Sequence, residues 1–160
     1  MLCNDAALFR EEMLKGYVAA FPSYVIEVPG GVVSACEATV GKVAVMNGGG
    51  SGHYPAFCGI VGDGLMDGCV VGNVFTSPST EEALGVASCL DTSSGLLIVG
   101  GNYAGDKMNF DMARDRLRAQ GVDARTFYIT DDVSSAPVAQ ASLRRGNVGT
   151  FLVFKAVGAP

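Results

Sequence analysis

Short apolar runs that are followed by glycine, hydroxyl or acidic residues recur along the chain. Runs of this length, bounded by turn-forming residues, are typical of buried strands. The predicted strands are Val43–Met46, Cys69–Val71, Leu96–Val99 and Arg125–Thr130. Segments with apolar residues at helical spacing lie between these runs. The alternation predicts an α/β fold with a mainly parallel sheet and helices on both faces.

Three segments carry the start and stop signals of helices. They run from Asn4 or Asp5 to about Ala20, from Glu81 to Leu90, and from about Lys107 to Gln120. Ser79 or Thr80 is placed to cap the second helix. Asp106 is placed to cap the third helix, and Gly121 to end it.

Three other segments are less regular. Residues 23–42 predict an irregular connection that crosses the outside of the domain. The apolar run Thr150–Phe154 fits either a strand or a buried helix, because its pattern does not separate the two. Two adjacent acids, Asp131 and Asp132, follow the last predicted strand and could bind a metal or hold a loop.

The most distinctive stretch follows the first predicted strand and reads Asn-Gly-Gly-Gly-Ser-Gly-His-Tyr-Pro over residues 47–55. Its glycines predict a tight turn with positive φ, whose backbone a ligand can approach closely. Pro55 favours a helix start directly after this turn. The stretch is neither a Walker loop nor a dinucleotide fingerprint, because Gly-Lys-Ser/Thr and a third spaced glycine are missing. His53, the chain's only histidine, therefore stands in a glycine turn instead of on a packing face.

Polar side chains stand at three predicted strand ends: His53, Thr76 with Ser77, and Asp106. Ligands of open α/β folds bind at the carboxyl ends of parallel strands, so we expect these ends to meet at one edge. An imidazole and a carboxylate at that edge supply a hydrogen-bonding group and a proton acceptor. Capping of the next helix is the alternative interpretation of Thr76 and Ser77.

Composition narrows the classes of function. The 160 residues carry a net charge of −5, and 17% of them are charged, which argues against nucleic-acid binding through phosphates. The chain shows neither an apolar run as long as a membrane span nor the apolar core of a secretory signal, so we expect no membrane partner and a cytoplasmic location. The length predicts a single α/β domain over residues 1–160.

Cysteine usage points to a reducing compartment. The five cysteines include no C-x-x-C pair and are Cys3, Cys36, Cys58, Cys69 and Cys89. We interpret them as small buried apolar residues, not as disulfides or metal ligands. With a single histidine in the chain, no metal site is expected.

Several blocks of residues occur in an order and spacing that resemble the dihydroxyacetone kinase family. They are Asn47–Phe57 (NGGGSGHYPAF), Gly72–Pro78 (GNVFTSP), Asn102–Phe110 (NYAGDKMNF) and Asp131–Val133 (DDV), and the match continues from Arg144 to Lys155. The resemblance covers nearly the whole chain and implies the N-terminal part of that family's substrate-binding half. It also implies an enzyme that phosphorylates a terminal hydroxyl of a short ketose.

This resemblance assigns roles to individual residues. By likeness to the family, the backbone of Gly50, Ser51 and Gly52 cradles the substrate, and His53 hydrogen-bonds and polarises it. Asp106 is implied to contact the reacting hydroxyl as the candidate base, so His53 and Asp106 are the implied catalytic residues. The chemistry agrees, because attack of a hydroxyl on a phosphoryl group needs positioning and a proton acceptor.

One departure from the family pattern changes the expected substrate. Family members have a lysine immediately before N-Y-x-G-D that contacts a substrate oxygen, and this chain has Gly101 there. The space left by the missing side chain fits a longer ketose, as in the branch that acts on four-carbon erythrulose. Gly101 is therefore counted among the substrate-binding residues.

A second departure concerns what the family has in addition. Family members carry a second half, with a histidine that bonds covalently to the substrate carbonyl, and an ATP-binding domain or a phosphorylated partner subunit. These residues contain neither, so we expect an incomplete fragment that is inactive alone. We expect no cofactor on this domain, ATP and Mg on a separate domain or subunit, and a homodimer.

Two other functions stay open at this point. The family includes regulatory relatives that bind a ketose without phosphorylating it, and the presence of both His53 and Asp106 favours the kinase over such a sensor. A lipid-binding protein of related fold is a further alternative. Small Gly/Ser turns fit that function, but a long acyl tail needs an apolar tunnel.

Overall fold

The structure, a computed structural model, describes residues 4–159. The strands in this range are β1 (Val25–Val28), β2 (Gly31–Ser34), β3 (Ala44–Gly50), β4 (Gly68–Gly72), β5 (Leu96–Gly101) and β6 (Ala124–Ile129). They form one sheet in the order β1-β2-β4-β3-β5-β6. Pairing is parallel from β4 through β3 and β5 to β6, and antiparallel between β2 and each of β1 and β4. The predicted mainly parallel sheet is therefore confirmed.

Helices cover both faces of this sheet. The α-helices within residues 4–159 are α1 (Phe9–Ala20), α2 (Thr80–Ala87), α3 (Ala104–Ala119) and α4 (Gly149–Gly158). Successive side chains of a strand point to opposite faces, and β3 shows the result. Val45 belongs to one core with Leu14 of α1 and Phe154 of α4, whereas Met46 shares a second core with Phe110 of α3. In the described part of the chain, no helix has the length and apolar character needed to cross a membrane.

Residues 23–42 were expected to be irregular, but they contain the antiparallel hairpin of β1 and β2. Gly30 in the hairpin turn has a φ of 94°, a conformation that favours glycine. Val25 and Val32 are buried, whereas Ile26 is half exposed. The prediction was wrong because two four-residue strands around a Pro-Gly turn give too short an alternation to stand out.

Two predicted helix starts are confirmed. Asp5 caps a short 3-10 turn (Ala6–Leu8) that leads into α1. At the start of α2, the Ser79 hydroxyl accepts a hydrogen bond from the Glu82 N–H at 3.2 Å, and the Glu82 carboxylate accepts one from the Ser79 N–H at 2.6 Å. These two bonds form a capping box.

The choice between strand and helix for Thr150–Phe154 is settled, since this run belongs to α4. α2 is shorter than predicted and ends at Ala87 instead of Leu90.

Asp106 does not cap α3, contrary to the prediction. The capping position is Tyr103, and Asp106 lies within the first helical turn. Acidic residues are favourable both at the cap and in the first turn, so the sequence signal could not separate the two positions. The carboxylate of Asp106 is therefore not used by a capping bond.

The interpretation of all cysteines as buried holds for only part of the chain. Cys58 and Cys69 are buried in the core on the α1 face, whereas Cys36 and Cys89 are exposed. Cys3 lies outside the described residues. Cys36 and Cys89 lie just after β2 and α2, where the chain has left the packed elements. The apolar character of a cysteine therefore does not predict burial at these two positions.

Candidate functional site

The glycines that follow Met46 form the end of a buried strand. The prediction of a tight turn at these glycines was wrong. Gly48, Gly49 and Gly50 continue β3, and none of these three has a positive φ. A Cβ on Gly48 would lie 2.6 Å from the Val70 carbonyl oxygen, and one on Gly50 would lie 2.6 Å from that of Val74. These positions therefore need glycine because neighbouring backbone approaches closely, not because the chain turns.

The α-helix predicted to start at Pro55 is also absent at that position. β3 leads into a 3-10 turn at Ser51–His53, and a second 3-10 turn follows at Cys58–Ile60. Gly62 and Gly64 beyond it have positive φ, which a helix does not accommodate. The segment between β3 and β4 is thus a series of short turns that carries His53 to the end of the sheet.

A cavity of about 860 Å³ lies beside the carboxyl ends of β3, β4 and β5. Its wall contains the glycines at the end of β3, Thr76 and Ser77 after β4, and residues 101–106 after β5. The three strand ends that the sequence placed at one edge therefore line the same cavity. Residues between 53 and 60, Phe75, and residues between 143 and 154 supply the remaining wall.

Four of the six predicted site residues line this cavity: Gly50, His53, Gly101 and Asp106. Ser51 and Gly52 are not part of its wall. Ser51 is buried with 3% of its surface exposed, and the Gly52 N–H already donates to the Val74 carbonyl. The structure thus places the imidazole and the carboxylate on one cavity but leaves Ser51, which is buried, and Gly52, which is exposed, outside its wall.

Two aromatic rings hold His53. Its ring centroid lies 5.4 Å from that of Phe75 and 6.1 Å from that of Phe57, and both contacts are edge-on. Phe75 and Phe57 also line the cavity. Edge-on ring contacts of this kind position the imidazole by packing.

The carboxylate of Asp106 is half-buried at the start of α3. Burial raises the pKa of Asp106 above its ordinary value, and a hydrogen bond with the Ser77 hydroxyl and the charge of His53 oppose this rise without cancelling it. Asn109 donates a hydrogen bond to the Ser77 hydroxyl at 3.3 Å. Since Ser79 caps α2, Ser77 is free of the capping role considered for it. A carboxylate of raised pKa is a suitable proton acceptor for a hydroxyl.

The adjacent acids after β6 hold a loop. Asp131 accepts hydrogen bonds at 2.7 Å from the N–H groups of Asn147 and Gly149, and Asp132 accepts one at 3.0 Å from that of Ser134. The two N–H bonds lower the pKa of Asp131. The pKa of Asp132 is lowered mainly by a hydrogen bond from the Ser134 hydroxyl at 2.6 Å and further by the bond from the Ser134 N–H. Within residues 4–159, no group of three or more His, Cys, Asp and Glu side chains could hold a metal ion.

Sequence reasoning did not identify the wall that follows β6. The side-chain amide of Asn102 donates to the carbonyl oxygens of Ser142 and Arg144 at 3.0 and 2.9 Å. The Tyr103 hydroxyl donates to the Gly146 carbonyl at 3.2 Å. The only signal in the sequence was the continuation of the family match through Arg144 to Lys155.

Residues 15–160 match the model of the Dak1 domain family. The chain is 56% identical to the D-erythrulose kinase of Mycolicibacterium smegmatis over 158 residues, which are 99% of this chain and 27% of that protein. It is 46% identical to the L-erythrulose kinase of Pectobacterium atrosepticum over the same shares of the two chains. The crystal structure of the dihydroxyacetone kinase of C. freundii in its native form superposes with a TM-score of 0.86 at 30% identity, covering 99% of this chain and 30% of that one.

The chain spans about a quarter of the length of these curated relatives, namely 27% of each. The likeness nevertheless extends over almost all of its own residues, in sequence and in fold. The resemblance to the dihydroxyacetone kinase family is confirmed, and the chain belongs to the Dak1 domain family.

Proposed function

We propose that this chain is the substrate-binding domain of a kinase that phosphorylates a terminal hydroxyl of a short ketose. The observation that carries the proposal is the placement of His53 and Asp106 on one cavity next to the glycine backbone of β3. The erythrulose kinases named above, which match over 99% of the chain, support it.

The geometry suggests a division of roles. Asp106, with its raised pKa, accepts the proton of the ketose hydroxyl as that hydroxyl attacks the phosphoryl group. His53 donates a hydrogen bond that polarises and orients the ketose. Gly50 is buried in β3 but reaches the cavity wall without a side chain, so the small sugar can lie against the strand end. Positioning and proton acceptance are the main demands of phosphoryl transfer to an alcohol.

The phosphoryl donor is proposed to come from elsewhere. By likeness to the family, whose members carry an ATP-binding domain or a phosphorylated partner subunit, we assign ATP and Mg²⁺ to a separate domain or subunit. Residues 1–160 assayed alone are expected to bind a ketose without phosphorylating it. The four described cysteines are free thiols, which supports a reducing compartment such as the cytoplasm.

The proposed substrate is a four-carbon ketose, erythrulose. Gly101 lines the cavity where family members have a lysine, and the Tyr103 ring lies where the side chain of that lysine would begin. The two relatives with 56% and 46% identity both carry erythrulose in their names. Because those names refer to opposite enantiomers, both enantiomers are candidates.

The test is a ketose phosphorylation assay of the full gene product with dihydroxyacetone and both erythrulose enantiomers. We expect erythrulose to have the higher kcat/KM. Asp106→Asn and His53→Asn should each lower kcat by about 10²-fold or more, with circular dichroism showing an unchanged fold.

Three outcomes would contradict the proposal. Ketose binding without phosphorylation by the wild type, with any donor, would indicate a sensor. A fatty acid retained in native mass spectrometry would indicate a lipid-binding protein. A strong preference for dihydroxyacetone would overturn the assignment of the longer ketose.

A further inference from the structure

A cationic side chain stands on the cavity wall that follows β6. Arg145 lines the cavity, and its guanidinium carbon lies 5.2 Å from the centroid of the Tyr103 ring. This distance is typical of a cation–π contact. Among the ion pairs of residues 4–159, none involves Arg145, so its donors are not engaged by a carboxylate.

The backbone that carries Arg145 is fixed on both sides. The Arg144 carbonyl accepts a hydrogen bond from the Asn102 amide at 2.9 Å, and the Gly146 carbonyl accepts one from the Tyr103 hydroxyl at 3.2 Å. Arg145 is therefore held against the segment that follows β5, although its own side chain is exposed to solvent and to the cavity. A guanidinium held in this way can donate to a ligand oxygen at little cost in side-chain order.

Tyr103 occupies the direction that a side chain at position 101 would take. A Cβ on Gly101 would lie 2.8 Å from Cε2 of Tyr103. The absence of a side chain at Gly101 thus makes room for the ring, and the ring supports the guanidinium of Arg145. A positive charge reaches this wall of the cavity from residues 142–146 instead of from the strand end.

The position of Arg145 relative to Asp106 also matters. No ion pair shorter than 4.0 Å joins the two within the described residues, although both line the same cavity. Both groups are thus unpaired with each other on the wall of one cavity, where different oxygens of a ligand can be directed at them.

We propose that Arg145, supported by the Tyr103 ring, binds the hydroxyl at the end of a four-carbon ketose opposite the reacting one, and so sets the preference over three-carbon ketoses. The inference rests on the proposed function and adds a specificity residue to that site. A site built to hydrogen-bond a substrate hydroxyl discriminates strongly against an analogue that cannot make the bond. Dihydroxyacetone is one carbon shorter than erythrulose, so we expect it to contact only one of the two groups.

The experiment measures kcat/KM of the full gene product for erythrulose and dihydroxyacetone in Arg145→Met, which removes the donors and keeps an unbranched chain. We expect the value for erythrulose to fall roughly tenfold or more and that for dihydroxyacetone to change much less, since a charged hydrogen bond is lost for one substrate only. Arg145→Lys should recover part of the loss, because one charged donor remains.

Arg144→Met is the matched control. The Nε of Arg144 donates to the Ala136 carbonyl at 2.9 Å, and its side chain is not part of the cavity wall. It should leave the ratio of the two kcat/KM values unchanged, and the thermal midpoint of each variant reports whether it folds.

Equal loss for both ketoses in Arg145→Met, or no loss for either, would overturn the inference while leaving the proposed function in place. A wild type that phosphorylates no ketose would remove the proposed function and this inference with it. The two failures are therefore distinguishable in one set of assays.

Discussion

At the scale of single residues, Asp106 is held in surroundings that disfavour its charge. Burial raises its pKa, and the Ser77 hydroxyl and His53 only partly offset that effect. The charged form of Asp106 therefore lowers the free energy of unfolding, although the same carboxylate serves the proposed chemistry. Such a residue is expected to show opposite effects on stability and activity when it is replaced.

Asp106→Asn should raise the thermal midpoint at pH 7 while removing phosphorylation. The folded state holds its proton to higher pH than the unfolded state, so the stability of the wild type falls as the pH rises above the ordinary pKa of 3.8. The gain of the variant should therefore be present at neutral pH and disappear below 3.8. Thermal denaturation across this pH range measures it, and a gain that does not depend on pH would contradict the explanation.

Gly50→Ala should lower both stability and ketose affinity. The new Cβ would lie 2.6 and 2.9 Å from the carbonyl oxygens of Val74 and Asn73, so residues 73–75 must move. Overpacking of this kind costs about 1–3 kcal/mol. The displaced segment includes Phe75, which packs on His53, so the site is also disturbed.

Gly16→Ala is the control for this substitution. Nothing lies within 4 Å of its Cβ position in the middle of α1, and alanine there should add about 0.5–1 kcal/mol. Urea denaturation measures both variants. Equal free energies of unfolding for Gly50→Ala and Gly16→Ala would contradict the prediction, because they would show that the backbone around Gly50 moves at little cost.

At the scale of elements, the start of α2 fixes one end of the loop that follows β4. That loop carries Thr76 and Ser77 of the cavity wall. The Ser79 and Glu82 capping box sets where the helix begins. The sequence predicted this start because capping depends on residues three positions apart. Signals of such short range predicted most helices and all four parallel strands of the sheet.

Predictions at this scale were wrong where the structure depends on distant residues. The glycines after Met46 extend β3 because the β4 backbone packs beside them, and no local rule shows that neighbour. Asp106 lies inside α3 because the helix starts earlier, at Ala104. The sequence correctly predicted the Asp106 carboxylate at the edge of the sheet, but the capping role predicted for it was wrong.

Ser79→Ala should destabilise the protein by about 1 kcal/mol, because the N–H of Glu82 loses its acceptor. Ser79→Asp keeps an acceptor at the cap and should stay close to the wild type. Chemical denaturation measures the difference between the two variants. A similar loss in both would mean that the hydroxyl matters for packing and not for capping.

At the scale of the whole molecule, the cavity is built from segments that are more than a hundred residues apart in sequence, from Gly48 to Phe154. Parallel topology alone predicted that three strand ends would meet. The wall at residues 143–147 could not be predicted, because it depends on side-chain hydrogen bonds between Asn102 or Tyr103 and distant carbonyl groups. Sequence patterns identify periodic elements, but they do not show such bonds.

The homodimer expected from the family resemblance stays a prediction at this scale. Multi-angle light scattering should give a mass twice that of one chain. Exposed apolar side chains between residues 138 and 152 are consistent with association, since Val138, Leu143 and Leu152 are 82%, 64% and 70% exposed. A single-chain mass at every concentration would contradict it.

The hydrogen bonds of Asn102 have a consequence for how such proteins diversify. Its amide recognises main-chain carbonyls, which every amino acid provides, so residues 142–146 can change identity without losing their attachment. Under the proposed function, new sugar preferences can therefore arise by exchanging this short segment among homologues, while Asp106, the proposed proton acceptor on α3, stays unchanged.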